Sequence, residues 1–246
     1  MKKLLLLSLC LFTNKSFSQL SGIITYDERV KLNINFQGDA PAGLDLPKEQ
    51  INKKTLIFTE DASLYFNSVN NTPTEIDQQT EGGMIKIRMD RPDEKSYVDI
   101  AGKKVVEERD LMTRKFLVTT DLTLYHWKLT GDQKEVAGYN CQKALLSDGE
   151  RKVTAWFTNF IPVSSGPGRF AGLPGMILEL TINDDITIAA ISVEMKAIEK
   201  EKIHKPTDGK KVTWEEFNKI REEKMKEMEE ENGGSGNGNV IIKIKK

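Results

Sequence analysis

The sequence predicts a mainly β protein of α+β type: a large curved antiparallel sheet or half-open barrel with a C-terminal amphipathic helix. Three observations predict it. Short runs of strand-forming residues recur through most of the 246 residues, separated by turn signals, and many alternate apolar with polar residues, as in Met84-Ile85-Lys86-Ile87-Arg88-Met89. That period of two belongs to strands with one wet face, which assemble into antiparallel sheets. Two hairpins are written in turn chemistry. After Ile198 the composition changes to a charged connection followed by a helical pattern.

In chain order, strands are expected at 21–36, 54–58, 63–67, 84–89, 95–100, 103–108 and 115–119. The clearest hairpin pairs 139–146 with 152–158 across Ser147-Asp148-Gly149, because Asp-Gly readily supplies the positive φ of a tight turn. A second pairs 176–182 with 186–193 across Asn183-Asp184-Asp185. Residues 38–50 and 67–83, rich in Pro, Asn, Gly or acids, read as irregular surface loops. Residues 199–211 read as a charged connection interrupted by Pro206 and Gly209. Thr213 with Glu216 makes a capping box that starts a helix running to Glu231. Trp214, Phe217, Ile220, Arg221, Met225 and Met228 fall on one stripe, expected to dock on the sheet. A Gly/Asn linker and a strand-like tail, Val240-Ile241-Ile242-Lys243-Ile244-Lys245-Lys246, occupy 232–246. A strand-forming peptide on a tether is a candidate for edge pairing, with return to its own sheet favoured.

The first eighteen residues carry Lys2 and Lys3, the apolar run Leu4 to Phe12 and small residues at Ser16 and Ser18. This is the pattern of a secretory signal peptide over 1–18, cleaved before Gln19, and it leaves 19–198 as one β domain. Cys10 follows Leu9, where lipid attachment requires a small residue, so no anchor is expected. No later segment is long and apolar enough to cross a membrane. Removing the three lysines of the leader from 36 bases leaves 33 against 37 acids, a mildly acidic chain with no electrostatic reason to bind nucleic acid. Cys141 becomes the only thiol, and the fold must rest on its core.

No GxSxG elbow, phosphate loop, dinucleotide fingerprint, HExxH or paired CxxC is present. Nothing orients His126 and Cys141 as a triad would require, so they read as a strand histidine and an inert thiol. The methionines read as core fillers rather than copper ligands. No catalytic residue, cofactor or metal is expected.

The most distinctive segment, 155–180, starts with Ala155-Trp156-Phe157-Thr158 and contains Pro162, Gly166, Pro167, Phe170, Gly172, Leu173, Pro174, Gly175 and Met176. The prolines fix φ, and the glycines reach conformations closed to other residues. A rigid, sharply turned connection between two strands follows, with its apolar members packed on the core. The hexapeptide Gly172-Leu173-Pro174-Gly175-Met176-Ile177 resembles the signature of the GLPGLI family of exported Bacteroidetes proteins, with Met176 replacing the usual leucine. Trp127-Lys128-Leu129, residues 138–144 and residues 212–217 add to the resemblance, while Gly168-Arg169 departs from it. The resemblance implies export to the periplasm or cell surface of a Gram-negative bacterium, sometimes beside a TonB-dependent outer-membrane receptor, and it carries no catalytic residues.

The expected function is therefore a non-enzymatic envelope protein that binds a protein partner, such as that receptor, through the Gly/Pro loop, the helix or the tail. The alternative is a carrier of an apolar or lipidic ligand in the concave sheet, with Trp156, Phe157, Phe170 and Leu173 near its mouth. An unrecognised hydrolase ranks third.

Overall fold

The computed structural model describes residues 20–32, 47–68, 74–80, 83–89, 93–112, 114–123, 125–148, 151–232 and 239–241. The leader, most of the 38–50 loop and the last five residues lie outside them. The first strands are β1 Gly22–Lys31, β2 Glu49–Phe58, β3 Ala62–Asn67, β4 Thr74–Thr80, β5 Gly83–Met89, β6 Glu94–Asp99, β7 Lys104–Leu111 and β8 Arg114–Asp121. They continue with β9 Lys128–Val136, β10 Tyr139–Asp148, β11 Arg151–Thr158, β12 Met176–Ile182, β13 Ile186–Met195 and β14 Lys210–Val212. Helix α1, Trp214–Asn232, and β15, Asn239–Ile241, close the order.

Twelve strands form one sheet in the order β14-β8-β7-β6-β3-β2-β1-β13-β12-β11-β10-β9, and β15-β5-β4 form a second. Every pair in the large sheet is antiparallel except β14 with β8, so the expected antiparallel sheet is mixed at one edge. The large sheet curls at its other end. There β9 approaches β13 within 8 Å between Cα atoms although three strands separate them.

Alternation decides which face is inside. In β1, Gly22, Ile24, Tyr26, Glu28 and Val30 are buried in phase. Register carries that phase onto Phe58, Leu56 and Lys54 of β2 and onto Ser63 and Tyr65 of β3. Ile24, Tyr26, Leu56, Phe58, Ala144, Val153, Ala155, Phe157, Leu180 and Ile188 join one core on this face. Helix α1 docks at the other end. Phe217, 3% exposed, meets Phe116 edge to face at 5.6 Å and joins Val118. Both arms of the capping box form: Glu216 N–H donates to Thr213 Oγ1 at 3.1 Å, and Thr213 N–H donates to Glu216 Oε2 at 2.9 Å. Among the described residues no helix is long and apolar enough to cross a membrane.

Several boundaries differ from expectation. Part of the 67–83 loop is strand β4, whose polar Thr-Glu-Ile-Asp-Gln-Gln-Thr is held extended by its register with β5 rather than by an apolar face. β2 begins at Glu49, inside the other expected loop. Strand β9 was not expected because it is an edge: almost all its residues are exposed, so it shows no alternation. The charged connection holds a 3-10 turn at Lys200–Lys202, and its last residues join β14. Asn239–Ile241 of the tail returns to the chain's own β5, as favoured.

Candidate functional site

Residues 159–175, between β11 and β12, fold back over the buried face rather than extending away from it. Ile161, Val163 and Leu173 are at most 3% exposed and join the main core with Met176 and Ile177. Val163 N–H donates to Ile161 O, and Ser165 N–H to Val163 O, each at 2.8 Å, so two tight three-residue turns follow one another, the first centred on Pro162 and the second on Ser164. Met176 N–H donates to Ile161 O and Ile177 N–H to Ser165 O, both at 2.9 Å. Tyr26 hydroxyl donates to Ile177 O at 2.8 Å, and the hydroxyls of Ser63 and Ser165 meet at 2.8 Å.

Two glycines have separate reasons to be glycine. Gly172 has φ of +94°, in the left-handed region. Gly175 lies against β11, where an added Cβ would fall 2.1 Å from Thr158 O. A third, Gly166, has no room because its Cβ would meet Ile177 Cβ at 2.7 Å.

The segment alternates like a strand although it is not one. Ile161, Val163, Leu173 and Gly175 face inward, while Phe160, Pro162, Gly172 and Pro174 are exposed, Phe160 to 74%. Its far end is held from the side. Phe170 stacks on Tyr125 at 5.4 Å, and Trp127 Nε1 donates to Ala171 O at 2.9 Å.

Arg169 ties the segment to the sheet and the helix. Its Nη2 donates to Thr120 Oγ1 at 3.2 Å, and its Nη1 is 3.6 Å from Glu107 Oε2. Glu107, 2% exposed on β7, also accepts from Arg109 Nη2 at 2.9 Å. Both guanidinium carbons lie over the Trp214 ring, Arg109 at 5.3 Å and Arg169 at 5.2 Å, within cation–π range. Burial pulls the Arg109 pKa down, but the carboxylates of Glu107 and Glu94 more than reverse this and leave it above the ordinary arginine value. A second buried ion pair lies on the same face: Lys54 is 3.6 Å from Glu28, each about nineteen-twentieths buried. Burial, with Glu28 nearby, pushes the Tyr65 hydroxyl well up. Buried charges raise no net stability by themselves and must be matched by partners, which these are.

The sequence-named residues divide accordingly. Phe157, Leu173 and Met176 are core, Gly166 and Pro167 are buried, and Phe170 is half-buried. Trp156 does not share a face with Phe157. It is half-buried on the outer side, with Lys134 Nζ 4.5 Å and Lys143 Nζ 5.7 Å from its ring centroid. Lys134 in turn grips both oxygens of Glu179 at 2.7 Å. Trp156, Phe157 and Leu173 therefore line no common mouth. Cys141 is fully buried, its thiol pushed up to about 11 by burial, whereas His126 is exposed. Sequence reasoning missed Glu28, Lys54, Glu107 and Arg109. The available signal was charge in the inward phase of a strand, as with Glu28 between Tyr26 and Val30. On the opposite face, Glu108 accepts from Lys95 and Lys115 beside a pocket of about 200 Å³ that His204, Pro206 and Asp208 help to line.

The family described as N-glycanase peptide, N-terminal domain, matches residues 49–216. Two crystal structures of PNGF-II share the fold, with TM-scores of 0.53 and 0.54 at 18% sequence identity. They cover 82% of this chain, while the chain spans 33% and 32% of theirs. No curated protein matches the sequence. The family match runs from β2 through the whole 159–175 segment to the first turn of α1, well over half of the chain, and the chain belongs to the family of N-glycanase N-terminal domains.

Proposed function

We propose that this chain is a non-enzymatic binding module of the exported cell envelope, docking a protein partner such as a TonB-dependent outer-membrane receptor through the outer side of residues 159–175. The observation that carries the reading is Phe160, 74% exposed on a backbone that is otherwise locked into the core, with exposed Pro162 and Pro174 on the same segment. An aromatic anchor on a preorganised loop loses little conformational freedom on binding, which is the property that makes a few residues dominate an interface. The receptor as partner rests on the resemblance carried by Gly172 to Ile177. A carrier of apolar ligands would need the space that Ile161, Val163, Leu173 and Ile177 already fill.

In this reading the chain, which spans about a third of PNGF-II, carries no catalytic step of its own. The test is site-specific photo-crosslinking in the native envelope with the photoreactive residue at position 160, and at exposed Asp184 as control. A receptor adduct at 160 and not at 184 is expected. Identical adducts at both positions, or N-glycanase turnover by the purified chain, would overturn the reading.

A further inference from the structure

Two arginines beside Trp214 carry more hydrogen-bond donors than the described residues answer. Glu107 and Arg109 lie two apart on β7 and share a face of the sheet, and Thr120 of β8 joins that face as the partner of Val105. A guanidinium carries five N–H donors. Arg109 uses two of them, to Glu107 Oε1 at 2.9 Å and to Glu94 Oε1 at 3.5 Å, while its buried Nε–H has no hydrogen-bond partner. Arg169 uses one, to Thr120 Oγ1 at 3.2 Å, and meets Glu107 Oε2 only as an ion pair at 3.6 Å. Donors left without an acceptor at a partly buried place are costly and mark where an acceptor is missing. The Arg109 and Arg169 side chains remain 22% and 21% exposed, so a small solute reaches them. Cation–π contact with the Trp214 ring, at 5.3 and 5.2 Å, holds both guanidiniums in place.

We propose that Arg109 and Arg169 form an anion site for the carboxylate of a small organic monoacid, which settles beside Trp214 and accepts from the open N–H groups of both guanidiniums. The site is independent of Phe160 and of any protein partner docked there. Charge selects the ligand class. The two arginines and the two carboxylates they already meet, Glu107 and Glu94, cancel, so a monoanion adds a single charge, whereas a phosphate dianion would set two against the buried Glu107. Shape agrees with charge. A carboxylate offers two coplanar oxygens that a guanidinium fork matches, and such charge-assisted bonds are the strong ones. Glu107 serves the site by drawing the two arginines to one carboxylate without saturating either.

The test titrates the protein with sodium acetate and, separately, with sodium phosphate at constant ionic strength and mildly alkaline pH, where acetate carries one charge and phosphate two. Binding is read by NMR at the Arg109 and Arg169 Nε–H and the Trp214 indole N–H. Acetate should give saturable shifts with a dissociation constant on the order of millimolar, and phosphate should bind at least about tenfold more weakly. Arg169→Lys keeps the charge but loses the fork, and should weaken acetate binding by about tenfold or more. Glu107→Gln removes the competing carboxylate and should tighten it by about threefold or more, an effect that a purely structural Glu107 would not give. Acetate and phosphate are compared on the unaltered chain, so that comparison stands even where a variant loses its fold. No saturable shift at the arginines, phosphate binding as tightly as acetate, or an unchanged acetate affinity in either folded variant would overturn the proposal.

Discussion

Replacing Gly175 by alanine tests whether the signature glycines serve backbone geometry. The added Cβ would lie 2.1 Å from Thr158 O, 2.8 Å from Thr158 C and 3.2 Å from Asn159 Cα, whereas ordinary contact begins at 3.4 Å. All three neighbours are main-chain atoms, so no rotamer change relieves the clash, and the seam between β11 and β12 must open by more than an ångström. That seam carries the Met176 to Ile161 hydrogen bond and the fully buried Phe157, Met176 and Ile177. Overpacking of this kind costs about 1–3 kcal/mol, and one or two weakened hydrogen bonds add about 1 kcal/mol each. For a chain of this size each kcal/mol lowers Tm by about 2–4 °C, so a fall of at least about 4 °C is expected by circular dichroism. The control is Gly168→Ala, where φ is +64° but the space is open. Only the left-handed backbone penalty applies there, about 1–2 kcal/mol. If Gly175→Ala melts within about 1 °C of the parent, or above Gly168→Ala, the steric account is wrong.

Arg169→Ala should cost about 1–3 kcal/mol, since it removes a charge partner from buried Glu107, and should change Trp214 fluorescence through loss of the stacked guanidinium; an unaltered spectrum would count against the contact. Phe160→Ala should leave the stability within about 0.5 kcal/mol of the parent, because its side chain is mostly in solvent, while abolishing co-purification of the receptor from the native envelope; a receptor retained by the variant would refute the anchor. Thr213→Ala should destabilise by about 1 kcal/mol through loss of the helix cap, read from urea midpoints. Because burial holds the Cys141 thiol protonated up to about 11, the unfolded chain loses that proton first. Stability should therefore fall as pH rises from about 9 towards 11, and Cys141→Ala should flatten the fall; an equal slope in both proteins would refute the shielding.

Legibility followed the range of the interactions. The hairpins at 139–158 and 176–193 were readable because turn residues and alternation lie within a few positions of each other. The helix start at Thr213 was readable for the same reason, its two capping bonds linking residues three apart. Strands β4 and β9 were not readable: one has Ile76 as its single apolar residue and the other is an exposed edge, so neither carries a hydrophobic period. For the candidate site, the prolines and glycines announced a rigid turn. They did not announce which side chains would point outward: Phe160 is absent from the residues the sequence singles out, which include buried Phe157, Leu173 and Met176.

By itself the sequence determined the β-rich class, the capped helix and the rigidity of residues 159–175, because each is an effect of neighbouring residues on their own backbone. Tertiary structure decided the rest. Tyr26 meets Ile177 across 151 positions and Ser63 meets Ser165 across 102. Only such long-range pairing turns Leu173 inward, leaves Phe160 in solvent and sets Arg169 between Glu107 and Trp214. A residue's own neighbours fix how its chain can bend, but burial depends on what the sheet brings opposite it, and that partner is written elsewhere in the chain.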